Sequence, residues 1–413
     1  MSPTNVIVLG AGMVGTCTAL HLQQRGHDVV LVDRRGPGEE TSYGNAGIIQ
    51  CEAVEPYPFP RSLSKLLRAA FKRGGDVNYH FSALPVIASH LARYWLHSGP
   101  ARYPAIAQAY GRLSDQAIAE HTPLIDAAGA GDLVRREGYR WVFRDPASLE
   151  TALRTAERVA PEHGLRHAAL TPAELAQAEP ALRQRLAGAI DWLDPWSVSD
   201  PGELVARYAD LFVRRGGLIV RGDASTLRRG VTGWGVLTDE GAFSAEHAVV
   251  ALGPWSDTLL KPLGYRVPLF VKRGYHRHYT GGTGPTRALL DMDRGLVIAP
   301  MKRGVRITTG AEFARRDAPS TPWQLTRAEA AARELIDLPT PVEHEPWRGA
   351  RPCLPDMKPV IGQASRHHGL WFNFGHAHQG FTMGAISGRL LAELLNGDSP
   401  AVDPRPYSPS RFD

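Results

Sequence analysis

The order of strand-like and helix-like segments in this chain predicts an α/β fold: a Rossmann-like α/β domain carrying an inserted α+β domain built on an antiparallel sheet. Three observations predict it. Residues 5–33 read as strand, glycine turn, helix and strand, the length of one βαβ half. Short apolar strands of the same kind return far along the chain, at 217–220, 248–252 and 370–374. Between them lie stretches of different texture, helical and aromatic at 56–145 and strand-rich at 266–312. The expected division is a discontinuous cofactor domain (1–55, 146–262 and 345–413) and a substrate domain (56–145 and 263–344).

The elements follow in order. Val6-Ile7-Val8-Leu9 is the continuous apolar run of a strand buried on both faces. Gly10 to Gly15 form a turn, Thr16 to Arg25 a helical pattern ended by Gly26, and Val29 to Val32 the next strand. Prolines crowd 56–60, and long helical patterns such as that around Leu91 to Trp95 follow. Residues 147–163 and 201–215 read as helices, and 182–194 as a strand. Ser225 to Phe243 reads as a hairpin. Alternation marks strands at Tyr275 to Tyr279 and Val305 to Thr309, and a helix at Met383 to Leu395 closes the chain.

Composition narrows the class. At 413 residues, with 43% hydrophobic and 22% charged, the chain is neither disordered nor a coiled coil and can hold two domains. It contains no run of eighteen apolar residues, so no membrane-spanning helix is expected. The N-terminus enters a strand with no secretory pattern, which points to a cytoplasmic address. The net charge of +5 is modest and diffuse. It favours an anionic substrate or a phosphate-bearing cofactor, not nucleic acid. Cys17, Cys51 and Cys353 are odd in number and far apart. They suit a reducing compartment, and no His/Cys/carboxylate spacing suggests a metal.

The chemistry begins at Gly10-Ala11-Gly12-Met13-Val14-Gly15 with Asp33 beyond it. Gly10 permits the tight turn, Gly12 lets the backbone approach a pyrophosphate, and Gly15 lets the helix pack on the strand. The amides around Met13 and Val14 then face the phosphates. Asp33, with Arg34 next to it, stands where a carboxylate bonds ribose hydroxyls. A structural glycine turn is the plainer reading of the glycines alone; strand, helix, strand and acid in succession favour a dinucleotide.

The small polar loop from Glu40 to Ile49 follows. Its Thr41, Ser42, Asn45, Ala46 and Gly47, with Ile48 after them, resemble the Thr-Ser-x-x-Asn-Ala-Gly loop that lines FAD in the amino-acid oxidase and dehydrogenase group of flavoproteins. That group includes D-amino acid dehydrogenases and glycine and sarcosine oxidases. The resemblance continues at Ala224, where the family meets adenine, and in Ala251-Leu252-Gly253-Pro254-Trp255-Ser256. It continues again in Trp347-Arg348-Gly349-Ala350-Arg351-Pro352, Pro355-Asp356 and Pro359-Val360-Ile361-Gly362. Gly375, His376, Gln379, Gly380, Phe381 and Thr382 belong to its glycine-histidine loop before the last helix. There, amides and Thr382 can face the flavin pyrimidine edge, where reduction places negative charge; Thr382 as a simple helix cap is the alternative. Regions 56–145 and 266–312 match more loosely.

The resemblance implies FAD, and Arg351 as the fork that holds a substrate carboxylate; a salt bridge to Asp356 is the structural alternative. Tyr275 and His276, on the strand Lys272 to Tyr279, and His378 are further candidates beside the substrate. Some relatives attach FAD through a late cysteine, but the surroundings of Cys353 resemble the noncovalent pattern. The implied reaction is deamination of a D-amino acid to a 2-oxo acid and ammonia, with hydride passing to flavin N5. Oxidation of a secondary amine (sarcosine, D-proline, hydroxyproline or an opine) and a noncatalytic flavin subunit of an electron-transfer complex are the competing readings. The acceptor stays open among oxygen, quinone and protein. Residues 61–73 set Arg61, Lys65, Arg68, Lys72 and Arg73 around Leu63, Leu66, Leu67 and Phe71. That is a candidate peripheral contact with the inner face of a membrane, against the plainer reading of a packed helix with a solvated face.

Overall fold

The computed structural model describes residues 5–71 and 77–413, without the side chains at 64, 65, 68 and 69. Among the described residues, one eight-stranded sheet has a parallel centre. Leu218–Arg229, Asp28–Asp33, Asn5–Leu9, His247–Val250 and Leu370–Phe374 lie side by side there. Their apolar runs face other layers on both sides, which is why they read as continuous rather than alternating. The hairpin Trp234–Thr238 and Gly241–Ala245 extends one edge, and Val360–Gln363 closes the other.

The first helix, Met13–Gln23, is buried nearly all round, between this sheet and the last helix, Gly380–Asn396. The two helices approach so closely that a Cβ on Gly384 would lie 2.6 Å from Met13 Cγ, and one on Gly388 2.7 Å from the Cys17 carbonyl carbon. Both helices begin three residues earlier than their apolar periodicity suggests. The strand expected at 217–220 runs on to Arg229, because from Gly222 it pairs with the hairpin instead of with Asp28–Asp33.

A second sheet of eleven strands is centred on Phe270–Thr280, which pairs antiparallel with Trp347–Cys353 and Gly304–Thr308. The fold class is thus the expected one, but the boundaries drawn from sequence do not follow the sheets. Gly188–Trp192 and His167–Leu170 join the second sheet beside Tyr139–Phe143, although 146–262 was expected in the cofactor domain. Conversely, Tyr103–Ser114 and Ala117–Ala128 share a core with the first and last helices, through Leu113, Leu124 and Ile125 against Cys17, Leu20 and Leu390. Periodicity marks the apolar face of a helix; it does not say which sheet that face covers.

Candidate active site

The carboxyl ends of the parallel strands open on a cavity of about 1050 Å³ that continues under the second sheet. The glycine turn forms its near end. Gly10 has φ +105°, and a Cβ there would lie 2.5 Å from the Ala251 carbonyl oxygen. A Cβ on Gly15 would lie 1.8 Å from the Gly10 carbonyl oxygen, so Gly15 serves the helix–strand contact and not the cavity wall. Asp33 closes the turn: its Oδ2 accepts from the Ala11 amide at 2.7 Å and its Oδ1 from the Arg35 amide at 3.0 Å. Burial raises the Asp33 pKa, and both amides oppose the shift. Gly12, Met13, Val14, Asp33 and Arg34 line this end with Ala224, Ala251, Gly253 and Trp255. The Arg34 guanidinium lies over the Trp255 ring, 4.3 Å from its centroid.

The loop after Glu40 joins the two ends of the cavity. Ser42 Oγ accepts from the Met13 amide at 3.0 Å, and Thr41 Oγ1 donates to the Ala350 carbonyl at 3.2 Å. Asn45 Oδ1 accepts from the Gly47 amide at 2.8 Å. Thr41, Ser42, Asn45 and Ala46 line the cavity, whereas Gly47 and Ile48 stand behind it, Ile48 pairing with Ser197. A brace unforeseen from sequence holds this loop. Arg306 donates from Nη1 to the Tyr43 carbonyl at 2.9 Å and also to that of Asn45, while its Nε donates to His278 Nε2 at 2.9 Å. His278 Nδ1 bonds Glu343 Oε1 at 2.7 Å, so the imidazole is the neutral Nδ1–H tautomer that can accept from Arg306. Burial lowers the Arg306 pKa to about 10.

At the start of the last helix, Gly375, His376, Gly380 and Phe381 line the cavity. Ala377 takes φ +52° and donates its amide to the Pro352 carbonyl at 2.8 Å, pinning the loop to the Arg351 strand. His376 bonds Ser387 Oγ at 2.8 Å, and burial lowers its pKa to about 3. Gln379 and Thr382 lie behind the wall. Gln379 Nε2 donates to Gln50 Oε1 at 3.0 Å, and Thr382 Oγ1 accepts from the Gln50 amide at 3.1 Å. Thr382 is therefore a tie to the 48–50 segment and not the helix cap. His121 supports the same turn from beneath, bonding the Phe381 and Thr382 carbonyls, each at 3.1 Å.

The far end is a platform made by two paired strands. Lys272 lies opposite Arg351, Gly274 opposite Gly349, and His276 opposite Trp347, all six on one face. The facing glycines leave a bare patch. Arg351 lies across Gly274, where a Cβ would come within 2.6 Å of Nη2. Trp347 lies across Gly349 from the other side and stacks on His276 at 4.7 Å. Arg351 Nη1 donates to the Gly310 carbonyl at 2.7 Å and Nη2 to the Thr309 carbonyl at 3.1 Å. It has no carboxylate partner among the described residues. Asp356, the alternative considered, is instead paired with Arg411 at 2.8 Å. Burial lowers the Arg351 pKa. His378 lines the cavity beside Arg351 and Lys272; burial first, then those two charges, lower its pKa to about 3.

Two candidates sit differently from the others. Tyr275 touches the cavity, but its hydroxyl is held by Glu312 Oε2 at 2.8 Å and the Thr321 amide at 3.0 Å, in a network with the buried Arg273–Glu312 pair. His276 does not line the cavity. It is sealed beneath Trp347, and burial lowers its pKa to about 2.

The model of the family described as FAD dependent oxidoreductase matches residues 5–394. The chain belongs to that family. It is 31% identical to the D-amino-acid oxidase of Bradyrhizobium diazoefficiens over 99% of both chains. It is 32% identical to a D-amino acid dehydrogenase of Paramagnetospirillum magneticum over 96% of both. Among solved structures, glycine oxidase from Geobacillus kaustophilus shares its fold with a TM-score of 0.76 at 19% identity, covering 100% of each chain. The cavity suits the cofactor of this FAD family. Its near end offers turn amides, and at its centre the Trp347 ring packs directly on Gly44 and Gly349, where a Cβ would strike it at 1.7 and 2.0 Å.

Proposed function

We propose that this flavoenzyme deaminates D-amino acids oxidatively, giving a 2-oxo acid and ammonia. The observation that carries the reading is Arg351, a guanidinium oriented by two carbonyls, facing the cavity with no anion of its own among the described residues. Three of its five N–H donors remain for a substrate carboxylate, and a fork–fork pair would fix the α-carbon. The curated relatives' names supply the amino-acid class and the D configuration.

The residues would divide the work as follows. Gly12, Met13, Val14, Asp33 and Arg34 hold the dinucleotide end, and the 41–46 loop with the 375–381 turn holds the flavin end. Bound FAD supplies the two-electron acceptor, at N5, for the hydride leaving the α-carbon. Arg351 holds the carboxylate so that this C–H points at the acceptor. His378, uncharged at neutral pH, can lie beside the substrate amine without repelling it or protonating it. An uncharged amine keeps the lone pair that assists hydride loss, so no separate base is needed. Water then hydrolyses the released imino acid.

The test is anaerobic mixing with a panel of D-amino acids, L-amino acids, sarcosine and D-proline, scored by flavin bleaching. Bleaching by D-amino acids supports the proposal; bleaching by secondary amines alone would replace it, and bleaching by none would favour a noncatalytic subunit. FAD is held noncovalently in this reading, since the Cys353 thiol is buried and burial raises its pKa. Acid precipitation should then release free flavin.

For the acceptor we favour a quinone at a membrane surface. No helix among the described residues is long and apolar enough to cross a membrane. Yet Leu63, Leu67, Phe71, Phe81, Val86 and Leu96 are exposed around Leu63–Ala70 and Leu84–His97, whose Leu66, Leu84 and Leu91 line the cavity. The basic side chains of 65, 68, 72 and 73 lie outside the described residues. Cosedimentation with anionic vesicles at low salt tests this contact, and oxygen uptake with and without added quinone tests the acceptor.

A further inference from the structure

The substrate half of the cavity carries a second cation for which deamination of a monocarboxylic amino acid has no use. Lys272 faces Arg351 across the strand pair, so both side chains leave the sheet on the same face. From there they diverge: Arg351 crosses Gly274 toward Gly310, while Lys272 runs to Tyr94 and Phe313. The Lys272 ammonium donates to Tyr94 Oη at 3.4 Å, 4.5 Å from that ring's centroid, and stands 5.7 Å from the Phe313 ring and 5.8 Å from Phe270. No carboxylate lies within ion-pair distance of it among the described residues. Tyr94, Phe270 and Phe313 share an apolar cluster with Ile87 and Met357, against which Phe59, Leu84 and Leu91 pack.

An ammonium in such surroundings gains from the rings but still lacks a counter-anion. The charges along the cavity make the lack specific. Asp33, Glu40 and Asp223 are the described acids lining it, and all three belong to the nucleotide end. The substrate end has Lys272 and Arg351, and its His376 and His378 are neutral at pH 7. An amino acid bound with an uncharged amine and one carboxylate offsets one cation. A second carboxylate on its side chain offsets the other.

Resting on the deamination reading, we propose that Lys272 is a specificity-determining residue that binds a side-chain carboxylate, so that the preferred substrates are acidic D-amino acids. The α-carboxylate sits on Arg351 and the distal one on Lys272, with the chain between them against Tyr94 and Phe313. The hydroxyl of Tyr94 donates to the Tyr57 carbonyl and accepts from Lys272, which fixes where the ammonium waits.

The experiment compares D-aspartate with D-asparagine and D-glutamate with D-glutamine as reductants of the flavin-loaded enzyme, by anaerobic stopped flow. The wild type should prefer at least one acid over its own amide by about tenfold or more in the second-order rate. Lys272→Met should bring that ratio to near one, and Lys272→Arg should restore it. Because the ratio is internal to each flavin-loaded protein, partial misfolding does not imitate the result. A binding readout stands beside it: glutarate should perturb the flavin spectrum at lower concentration than valerate in the wild type, but not in Lys272→Met. Amides reacting as fast as acids would overturn the proposal, as would equal losses for acid and amide in Lys272→Met, which would assign both cations to the α-carboxylate. If no D-amino acid bleaches the flavin while glutarate still outbinds valerate, the deamination reading fails and the subsite stands.

Discussion

Adding one methyl group to the platform gives the sharpest test of Arg351. In Gly274→Ala the new Cβ would lie 2.6 Å from Nη2, 2.9 Å from Cζ and 3.1 Å from Nη1, flat against the guanidinium. Restoring ordinary contact requires a retreat of roughly 0.8 Å. The guanidinium cannot make that retreat and keep both the 2.7 Å bond to Gly310 and the 3.1 Å bond to Thr309. A displacement near 1 Å in a positioning group costs about 100-fold, or about 2.7 kcal/mol of transition-state stabilisation. Gly274 has no positive φ, so alanine fits the strand backbone itself, and flavin content should stay near that of the wild type. The assay is anaerobic reduction by the best D-amino acid, with the rate constant and substrate dissociation constant measured separately. A second-order rate within about threefold of wild type would refute the assignment of Arg351 as carboxylate anchor.

Three further outcomes are expected. Asp33→Asn weakens the acceptor that closes the glycine turn, and FAD titration of the apoprotein should show about tenfold or greater loss of affinity; an unchanged affinity would leave Asp33 a purely local staple. His278→Ala removes the acceptor that orients Arg306 toward the 43–45 carbonyls, so FAD should dissociate about tenfold more readily, with His278→Gln recovering part of the loss; equal affinity in all three proteins would show that the brace is dispensable. Glu52 is buried, and burial pushes its carboxyl from 4.5 to about 8. The folded protein therefore keeps a proton that the unfolded chain releases near 4.5, so Glu52 costs increasing stability as pH rises to about 8, at most roughly 5 kcal/mol. Relative to wild type, Glu52→Gln should gain stability between about pH 5 and about pH 8 in urea titrations; a pH-independent difference would contradict this.

Local elements of the cofactor half were legible because their signals are local. A glycine turn, the strand before it and the acid after it lie within 29 residues, from Asn5 to Asp33, and each has a backbone reason to be where it is. Arg351, the 41–47 loop and the 375–382 turn were found through resemblance, and the structure brings Arg351 and much of each loop to one cavity. Gln379 and Thr382 lie one layer back, because the first turn of a helix sends some side chains inward to the segment it rests on. His276 resisted reading for another reason. Strand alternation says which residues share a face, but not that Trp347 from the paired strand covers one of them.

The chain by itself determined an α/β fold with a dinucleotide-type turn, because these depend on spacing within a few turns of backbone. FAD and a carboxylate-holding role for Arg351 were expected from family resemblance. Only the tertiary structure decided which sheet each segment joins, and that Arg306 and His278 brace a loop 263 positions from Arg306. It alone set Lys272 opposite Arg351, beside Tyr94 and Phe313 and with no anion of its own among the described residues. Such pairings are made by register between strands distant in sequence, and no local pattern of residues encodes them.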